Sequence, residues 1–462
     1  MTQTPDFQTL DGFAAVILAG GRGTRMRSEL PKVLHAVAGV PMIRHVADAA
    51  RGAGFAQLVA VVSPDGEATV AAAGPDVNSA IQAEPLGTGD AARAGLEGVA
   101  DASNVAIVNA DLPLLTAHTL AATARRHLET DAVLTLVTAE FDDPTGYGRI
   151  ARGDGGVITA IVEEVDASAS QRAITEVNVG LYVAHADWLQ AALAALVPSA
   201  SGELYLTDIV GHAAASGATI ATHTLADVSE IQQVNDRVEL SRAEAMMRDR
   251  IRERVMREGV TLIDPASTFI DASVTFGPDT TILPGVHLLG RTSLGVACRI
   301  GPNAVLENVV AGHRVRIGNS TIEESSLADD VEIGPYSHIR PGSSIENNVH
   351  LGNYVEVKAS RIGANTRIGH FSYVGDADIG QAVNIGAGTV TANYDGERKY
   401  RTEVGDGAFI GVDSMLVAPI VVGAGARTAA GSVVTNDVPP GSMVMGVPAR
   451  IRPNEGAESG DD

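Results

Sequence analysis

The sequence predicts an α/β domain, a long charge-rich helix and then a parallel β-helix, and three observations predict it. Apolar runs alternate with helical patterns through the first half of the chain. A stretch dense in Glu, Arg and Asp follows. An aliphatic or related residue then recurs at every sixth position. The hexads run through Ile270, Phe276, Ile282, Leu288, Leu294, Ile300 and Leu306. They return over Ile333, Ile339, Ile345, Leu351 and Val357, and again over Val404, Ile410, Leu416 and Val422. A period of six fits neither a packed helix nor one long two-sided strand. It fits short strands joined by tight turns, each unit burying one side chain against its neighbours in a stack. The expected domains are residues 1–228, a helical linker over 229–259, and the β-helix with a short tail over 260–462.

Composition sets the outer limits. With 462 residues, 45% hydrophobic and 19% charged, the chain has globular composition and room for two cores or more. Aromatic residues make up only 4%, whereas 50 glycines suit a turn-rich repeat. A net charge of −23 argues against nucleic acid as a partner, because phosphate backbones require a basic surface. Small phosphorylated substrates need only a few local cations. The single cysteine, Cys298, excludes an internal disulfide framework and a Cys-based zinc site. Its place inside the repeat predicts a buried small hydrophobe rather than a nucleophile. Thr2 to Asp11 is polar and acidic, unlike a signal peptide, and no apolar run reaches membrane-spanning length. A cytoplasmic protein without membrane insertion is expected.

The first half opens on FAAVILAGGRGTRM from Phe13. Ala14–Leu18 reads as a buried strand, and the turn after it carries Gly20, Gly21 and Gly23. Such a turn lets backbone N–H groups close on phosphate oxygens with no Cβ in the way. Arg22, Arg25 and Lys32 bring cations to the same place. No Gly-Lys-Ser/Thr closes the turn, so it is not a Walker loop. Strands at 58–62 and 105–108 alternate with helices at 42–53 and 90–98. That alternation predicts a parallel sheet with ligands at the carboxyl ends of its strands.

Three features fall at such ends. Gln82-Ala83-Glu84 leads into Leu86-Gly87-Thr88-Gly89, a turn that opens a helix and suits a base or its phosphates. Asp111 ends a strand where a carboxylate holds Mg²⁺ beside phosphates, or caps a helix. The segment 146–150, Gly-Tyr-Gly-Arg-Ile, reads as a turn under a sugar ring, or as any hairpin. Glu163, near the end of a strand over 157–162, and Asn178 offer hydrogen bonds to sugar hydroxyls. Taken singly, they are more often a surface carboxylate and a turn amide. In the linker, Ile231, Val234, Val238, Ala245, Ile251 and Val255 mark a sparse apolar stripe. Gly259 stands where a C-cap belongs, so the segment reads as a mostly solvated strut.

A β-helix alone is equally a trimerisation scaffold or a regulatory module. Its hexads lapse around Arg340-Pro341-Gly342, Asn353 to Lys358, Gly369 to Tyr373 and Val383 to Gly388, and the insertion ANYDGERKYRTE follows Thr391. Loops on a rigid solenoid are where a site is usually placed. An amine attacking an acetyl thioester must lose a proton, and His370 is suited to take it near neutral pH. Glycine-rich turns supply N–H donors for the oxyanion. Arg340 and Lys358 suit the phosphate of a sugar phosphate. Tyr373, Asn384, Asn393 and Tyr394 suit sugar hydroxyls or the orientation of His370.

Gly-Arg-Gly-Thr-Arg-Met followed by Leu-Pro-Lys resembles the signature of sugar-1-phosphate nucleotidyltransferases. The order of that loop, Glu163, Asn178 and the segment Gly-Glu-Leu-Tyr-Leu-Thr-Asp over 202–208 narrows the resemblance. It is similar to the uridylyltransferase half of the bifunctional N-acetylglucosamine-1-phosphate uridyltransferase/glucosamine-1-phosphate acetyltransferase family. Arg340, Lys358, His370, Tyr373, Asn384, Asn393 and Tyr394 match the acetyltransferase half in identity and spacing, so the resemblance runs nearly end to end.

The resemblance implies a Rossmann-like nucleotidyltransferase domain, left-handed winding of the β-helix and a homotrimer. It implies that acetyl-CoA acetylates glucosamine 1-phosphate at the β-helix. N-acetylglucosamine 1-phosphate then takes a uridylyl group from UTP in the α/β domain. By the same resemblance, Leu18, Ala19, Gly20, Gly21, Arg25, Lys32, Gln82, Gly87, Thr88, Gly148, Glu163, Asn178 and Asn235 bind UTP and UDP-N-acetylglucosamine. Asp111 and Asn235 hold Mg²⁺. His370 is the general base with Asn384 in its network, and Arg340, Lys358 and Tyr373 hold the sugar phosphate. Asn393 and Tyr394 belong to that pocket and to acetyl-CoA, and Ala387, Ala430 and Arg450 meet acetyl-CoA.

Three positions depart from the pattern. Asn109-Ala110-Asp111 replaces Gly-Asp, Val412 replaces a serine near coenzyme A, and Gly446 replaces an arginine whose work falls to Arg450. The tail NEGAESGDD reads as disordered. An alternative is a nucleotidyltransferase for another sugar or nucleotide, with a regulatory β-helix; a further rival is a non-enzymatic scaffold.

Overall fold

The computed structural model describes residues 10–21, 23–199 and 202–452, with only the backbone of Asp11. Arg22 and the tail NEGAESGDD lie outside the described residues. The chain divides into two compact units, Met1–Met247 and Arg248–Asp462.

In the first unit, nine strands form one sheet: β1 (Leu10–Leu18), β2 (Phe55–Val62), β3 (Val77–Ile81), β4 (Asn104–Asn109), β5 (Leu134–Glu140), β6 (Arg149–Arg152), β7 (Ile158–Val162), β8 (Glu176–His185) and β9 (Ile220–Thr224). The order is β9-β5-β8-β4-β1-β2-β3, with β6 and β7 forming a ribbon appended to β8. β1 runs parallel to both β2 and β4. Its side chains alternate between two cores. Ala15 and Ile17 face the core that helices Met42–Gly52 and Ala117–Thr130 cover. Val16 faces the core covered by Thr88–Glu97, Ala186–Ala194 and Asp208–Ala215. Burial on both faces explains the unbroken apolar run after Phe13.

The sheet is mixed, a correction to the all-parallel expectation: β8 is antiparallel to β4 and to β5. After β5 the chain makes the ribbon instead of a crossover helix, and so re-enters the sheet from its other end.

The charge-rich segment is helical over Arg237–Arg257, after a single turn at Val228–Ile231. The expected apolar stripe therefore loses its phase. Val238 is 60% exposed and Ala245 is exposed, while Ala243 is buried with Leu240 and Met247 packed near Val37 and Met42. Ile251 and Val255 are buried as expected. Gly259, at φ +97°, donates its N–H to Met256 O at 3.1 Å, and Val260 N–H reaches Val255 O at 3.0 Å. A left-handed glycine of this kind terminates the helix and satisfies its last carbonyls.

In the second unit the short strands pair in parallel with the strand one coil later, as Ile270 does with Leu288, Leu288 with Leu306 and Ile282 with Ile300, until an antiparallel pair, Met443–Gly446 with Ala449–Ile451, ends the stack. This is the expected β-helix of hexapeptide repeats. The hexad side chains are buried, with Phe276 the partly exposed exception. Between Leu306 and Ile333 the ladder continues through buried Ala311, Ile317, Ile322 and Leu327. The coils there are shorter, since Leu306 pairs with Ile322 and Ile317 with Ile333.

Buried hydroxyls serve the corners where strand pairing stops. Thr280 Oγ1 donates to Gly295 O at 2.9 Å and accepts from Cys298 N–H at 3.1 Å. Thr366 does the same between Gly380 O and Val383 N–H. Cys298 is buried, its Sγ lies 3.2 Å from Gly312 O, and burial pushes its thiol pKa up. Among the described residues no helix is long and apolar enough to cross a membrane.

Candidate active sites

The first site forms where β1, β2 and β4 end. Ala19 N–H donates to Val61 O at 2.8 Å, which lays the glycine turn across these strand ends. A Cβ on Gly20 would lie 3.0 Å from Gln82 Oε1, while Gly21 faces open space. Gly23 is left-handed, and a Cβ there would collide with Lys32 Cβ at 2.5 Å, so this glycine lets the loop fold back on Lys32. Lys32 Nζ lies 2.6 Å from Asp111 Oδ2 and 3.2 Å from Asn235 Oδ1. Arg25 donates to the same Asn235 oxygen at 3.1 Å. Backbone joins the two distant partners: Val234 N–H donates to Asp111 O at 3.1 Å, and Asn235 N–H to Glu239 Oε2 at 2.6 Å.

Asp111 is 8% exposed, and its Oδ1 has no hydrogen-bond partner. A buried carboxylate oxygen left unpaired is unfavourable and invites a cation. Among the described residues no three His, Cys, Asp or Glu side chains converge as a metal site. A cation here would therefore take Asp111, Asn235 and oxygens of a ligand. Hard oxygen donors with few protein ligands suit a small divalent ion beside phosphates.

Across the cavity, Gln82 donates to Gly87 O and to Asp90 Oδ2, both at 3.0 Å. Leu206 N–H donates to Thr88 Oγ1 at 3.0 Å, and Gly89 N–H to Leu204 O at 2.8 Å. The 204–206 segment is thus tied over the Gly87 turn. The cleft has a volume of about 510 Å³, and its lining includes Leu18, Ala19, Gly20, Gly21, Arg25, Lys32, Gln82, Gly87, Thr88 and Asp111, and also Asn109, Glu203 and Tyr205. Sequence reasoning did not single out those last three, although the Asn-Ala-Asp triplet and the 202–208 segment contain them.

Gly148, Glu163 and Asn178 meet at the ribbon. Asn178 N–H donates to Gly148 O at 2.8 Å, and a Cβ on Gly148 would lie 3.6 Å from Glu163 Oε2. Thr207 Oγ1 donates to Glu163 Oε1 at 3.1 Å, and burial pushes the Glu163 carboxyl above its usual range. The Asn178 amide donates to Tyr182 OH at 2.7 Å and accepts from Gly180 N–H at 3.2 Å, leaving one amide hydrogen for a ligand. None of the three lines the 510 Å³ cavity; the 204–207 segment connects them to it.

The second site spreads over successive coils of the β-helix. Arg340 donates to Glu356 Oε1 at 2.9 Å, and Lys358 Nζ lies 3.6 Å from Asp376 Oδ2. Asn393 Nδ2 donates to that Asp376 oxygen and, at 3.5 Å, to Tyr373 OH. The insertion folds back on itself, with Tyr400 N–H on Asn393 O at 2.8 Å, and brings Lys399 to Lys358. Hydrogen-bonded to Lys358 and repelled by it, Lys399 is held below the ordinary lysine range. The same hydrogen bond, with Asp376, holds Lys358 above it. Lys399 and Asp376 escaped sequence reasoning; the basic insertion was the available signal.

His370 stands level with Asn353 one coil earlier, and its Nδ1 lies 3.3 Å from Asn353 Oδ1. Asn384, the expected network partner, pairs instead with Arg367 and makes no hydrogen bond to the ring. Register is the reason, because it sets Asn353 and not Asn384 opposite the histidine. Asp413 N–H donates to Ala387 O at 2.7 Å and Gly431 N–H to Val412 O at 2.8 Å, so Ala387, Val412 and Ala430 follow one edge in successive coils. Tyr394 is exposed and donates to Gly396 O, and Arg450 reaches Ala449 O at 3.3 Å. Neither is hydrogen-bonded to the His370 group.

Two family models match the sequence: a MobA-like NTP transferase domain over residues 15–201 and a bacterial transferase hexapeptide (six repeats) over residues 324–359. The bifunctional protein GlmU of Heliobacterium modesticaldum is 46% identical over 433 residues, 93% of this chain and 94% of its own. Those of Halalkalibacterium halodurans and an Exiguobacterium species are 44% and 45% identical. They cover 92% and 93% of this chain, and 94% and 96% of their own.

Proposed function

This chain belongs to the GlmU family of bifunctional proteins, and we propose that it makes UDP-N-acetylglucosamine in two steps at two separate sites. At the β-helix an acetyl group passes from acetyl-CoA to the amine of glucosamine 1-phosphate. In the α/β unit the phosphate oxygen of N-acetylglucosamine 1-phosphate attacks the α-phosphorus of UTP, and pyrophosphate leaves. What carries the reading is that both halves of the chain match one bifunctional family over more than nine-tenths of its length.

Uridylyl transfer is an in-line displacement, so positioning and charge neutralisation carry it. The Gly20–Gly21 backbone, Arg25 and Lys32 receive the phosphates, and Gln82, Gly87 and Thr88 hold the nucleotide. Gly148, Glu163 and Asn178 hold the sugar. The unpartnered oxygen of Asp111 and the amide oxygen of Asn235 fit Mg²⁺; when bound, it offsets charge on the reacting phosphates.

In acetyl transfer, His370 takes the amine proton with Asn353 fixing its ring. Arg340, Lys358 and Lys399 receive the sugar phosphate, while Tyr373 and Asn393 border it, and Ala387 and Ala430 give backbone contacts to acetyl-CoA. A homotrimer is inferred from the family, and the exposed aromatic edge of the β-helix offers it a contact surface: Tyr336 and Tyr354 stack at 5.4 Å, and Phe371 beside His370 is 58% exposed. Dependence on UTP and acetyl-CoA accords with a cytoplasmic setting.

The test is a paired assay on the full chain. Asp111→Ala is expected to abolish pyrophosphate release and spare acetyl transfer, and His370→Ala to do the reverse. If either folded variant loses both activities, the two-site reading fails.

A further inference from the structure

The geometry points to Arg149 as a positioning residue of uridylyl transfer, one that holds the sugar side of the site through the chain beneath it. The inference rests on the uridylyltransferase reading above. Arg149 is 1% exposed and heads the fully buried side chains by volume among the described residues. A buried guanidinium is costly unless its donors find partners. Here the two terminal nitrogens reach three separate segments, while the buried Nε–H has no partner. One Nη donates to Tyr147 O; the other donates to Arg172 O at 3.4 Å and lies 2.7 Å from Glu164 Oε2.

Each partner adjoins a sugar contact or the strand that bears one. Tyr147 precedes Gly148, Glu164 follows Glu163, and Arg172 lies in the short helix that leads into β8 and Asn178. The ribbon of β6 and β7 lies off the main path of the sheet and pairs with β8 where Arg149 faces Val177. Arg149 is also the residue of β6 that pairs with Val162 of β7. The ribbon is therefore fastened to the sheet at the residue whose side chain ties its strands together. Gly20, Gly21, Gln82, Gly87 and Thr88 stand instead on the turns after β1 and β3. Loosening Arg149 moves the sugar contacts directly and reaches the nucleotide contacts only through the 204–207 segment, which joins Glu163 to Thr88. Lysine cannot substitute, because an ammonium lacks the planar fork that serves several acceptors at once.

The experiment measures KM for each substrate in Arg149→Lys and Glu164→Gln, with acetyl transfer and the melting of Trp188 fluorescence as controls of fold. Trp188 is the only tryptophan and packs on the core of the first unit. Arg149→Lys is expected to raise KM for N-acetylglucosamine 1-phosphate by about tenfold or more. It leaves KM for UTP within about twofold and acetyl transfer unchanged. Glu164→Gln keeps both carbonyl bonds and shifts the same KM by less; it carries the test alone if Arg149→Lys does not fold. Equal rises in both KM values, or a lower melting temperature with both KM values unchanged, would make Arg149 a purely structural residue and overturn the inference. Failure of the wild-type protein to release pyrophosphate from UTP and N-acetylglucosamine 1-phosphate would instead sink the underlying reading, before any variant is compared.

Discussion

In the α/β unit the residues that meet come from remote parts of the chain, whereas in the β-helix they sit one coil apart. Lys32, Asp111 and Asn235 are gathered from a glycine turn, a strand end and the approach to a helix. Arg340 with Glu356, Asn353 with His370 and Lys358 with Asp376 each bridge neighbouring coils. The first group is the more covered: the side chains of Lys32 and Asp111 are 13% and 12% exposed, against 40% for both Arg340 and Glu356, with Lys358 and Asp376 between at 19% and 18%. Coulombic interactions strengthen as water is excluded, and exposed pairs are weak and screened. A few residues should therefore dominate the first site, and many small, salt-sensitive contributions should make up the charge of the second.

After the Asp111 and His370 variants, the largest expected effect is at Lys32. Lys32→Met leaves Asp111 without its cation and removes the ammonium that meets the phosphates. Uridylyl kcat should fall by about 10²–10³-fold, with acetyl transfer unchanged and no rescue by salt. Gly87→Ala comes next. At φ +114° an added Cβ would lie 2.5 Å from Leu204 O, so the turn and the 204–206 segment must part. Misplacement on that scale should cost about a hundredfold in kcat/KM for UTP. A comparable loss of acetyl transfer in either variant would break the contrast between a more covered site and a more open one.

The same difference decides what the sequence could disclose. A stacked coil repeats its geometry, so the run Ile333–Val357 reveals a buried column, and the lapses beside it mark where Arg340 and His370 stand. A fixed period of six cannot follow a coil that loses a residue, which is why Ala311 and Ile317 went unread between two good runs. The α/β unit discloses its strands and glycine turn because a sheet buried on both faces needs unbroken apolar runs. Its cross-chain contacts depend on topology: the Val234–Asp111 bond, the antiparallel β8 and the Arg149–Glu164 pair have no periodic trace. The roles given to Glu163 and Asn178 came from resemblance, since neither residue announces a sugar site by itself. The helix phase failed for a similar reason: Ile231 and Val234 precede a helix that begins only at Arg237.

Acid sensitivity sharpens the contrast with a smaller effect, because it belongs to the buried core of the α/β unit. His127 is 1% exposed, between Thr135 Oγ1 at 2.9 Å and Asn104 Oδ1 at 3.2 Å, with the His185 ring 4.8 Å away. Burial first, and His185 second, lower its pKa from 6.5 to about 4. The folded state thus favours the neutral ring, and as pH falls the unfolded chain takes the proton first. The stabilisation is complete above pH 6.5 and is lost between there and about pH 4, up to ~3 kcal/mol. Urea unfolding followed through Trp188 should show the decline, and His127→Gln should flatten it. Parallel pH slopes in the two proteins would exclude His127 as the cause.

Lys399→Met should have the smallest effect and bears most directly on the open site. Exposed Lys399 adjoins Lys358 and Asp376, and in the absence of substrate Lys358 disfavours the charge of Lys399. An arriving phosphate dianion relieves that repulsion, so removing one amine weakens binding without touching the proton transfer at His370. KM for glucosamine 1-phosphate should rise about two- to fivefold at low salt, with kcat and uridylyl transfer unchanged. The difference should fade as ionic strength rises past a few tenths molar, where the screening length falls to about 5 Å. A large effect that salt does not alter would mean that assembly encloses this cluster, and the contrast drawn from one chain would not survive in the working enzyme.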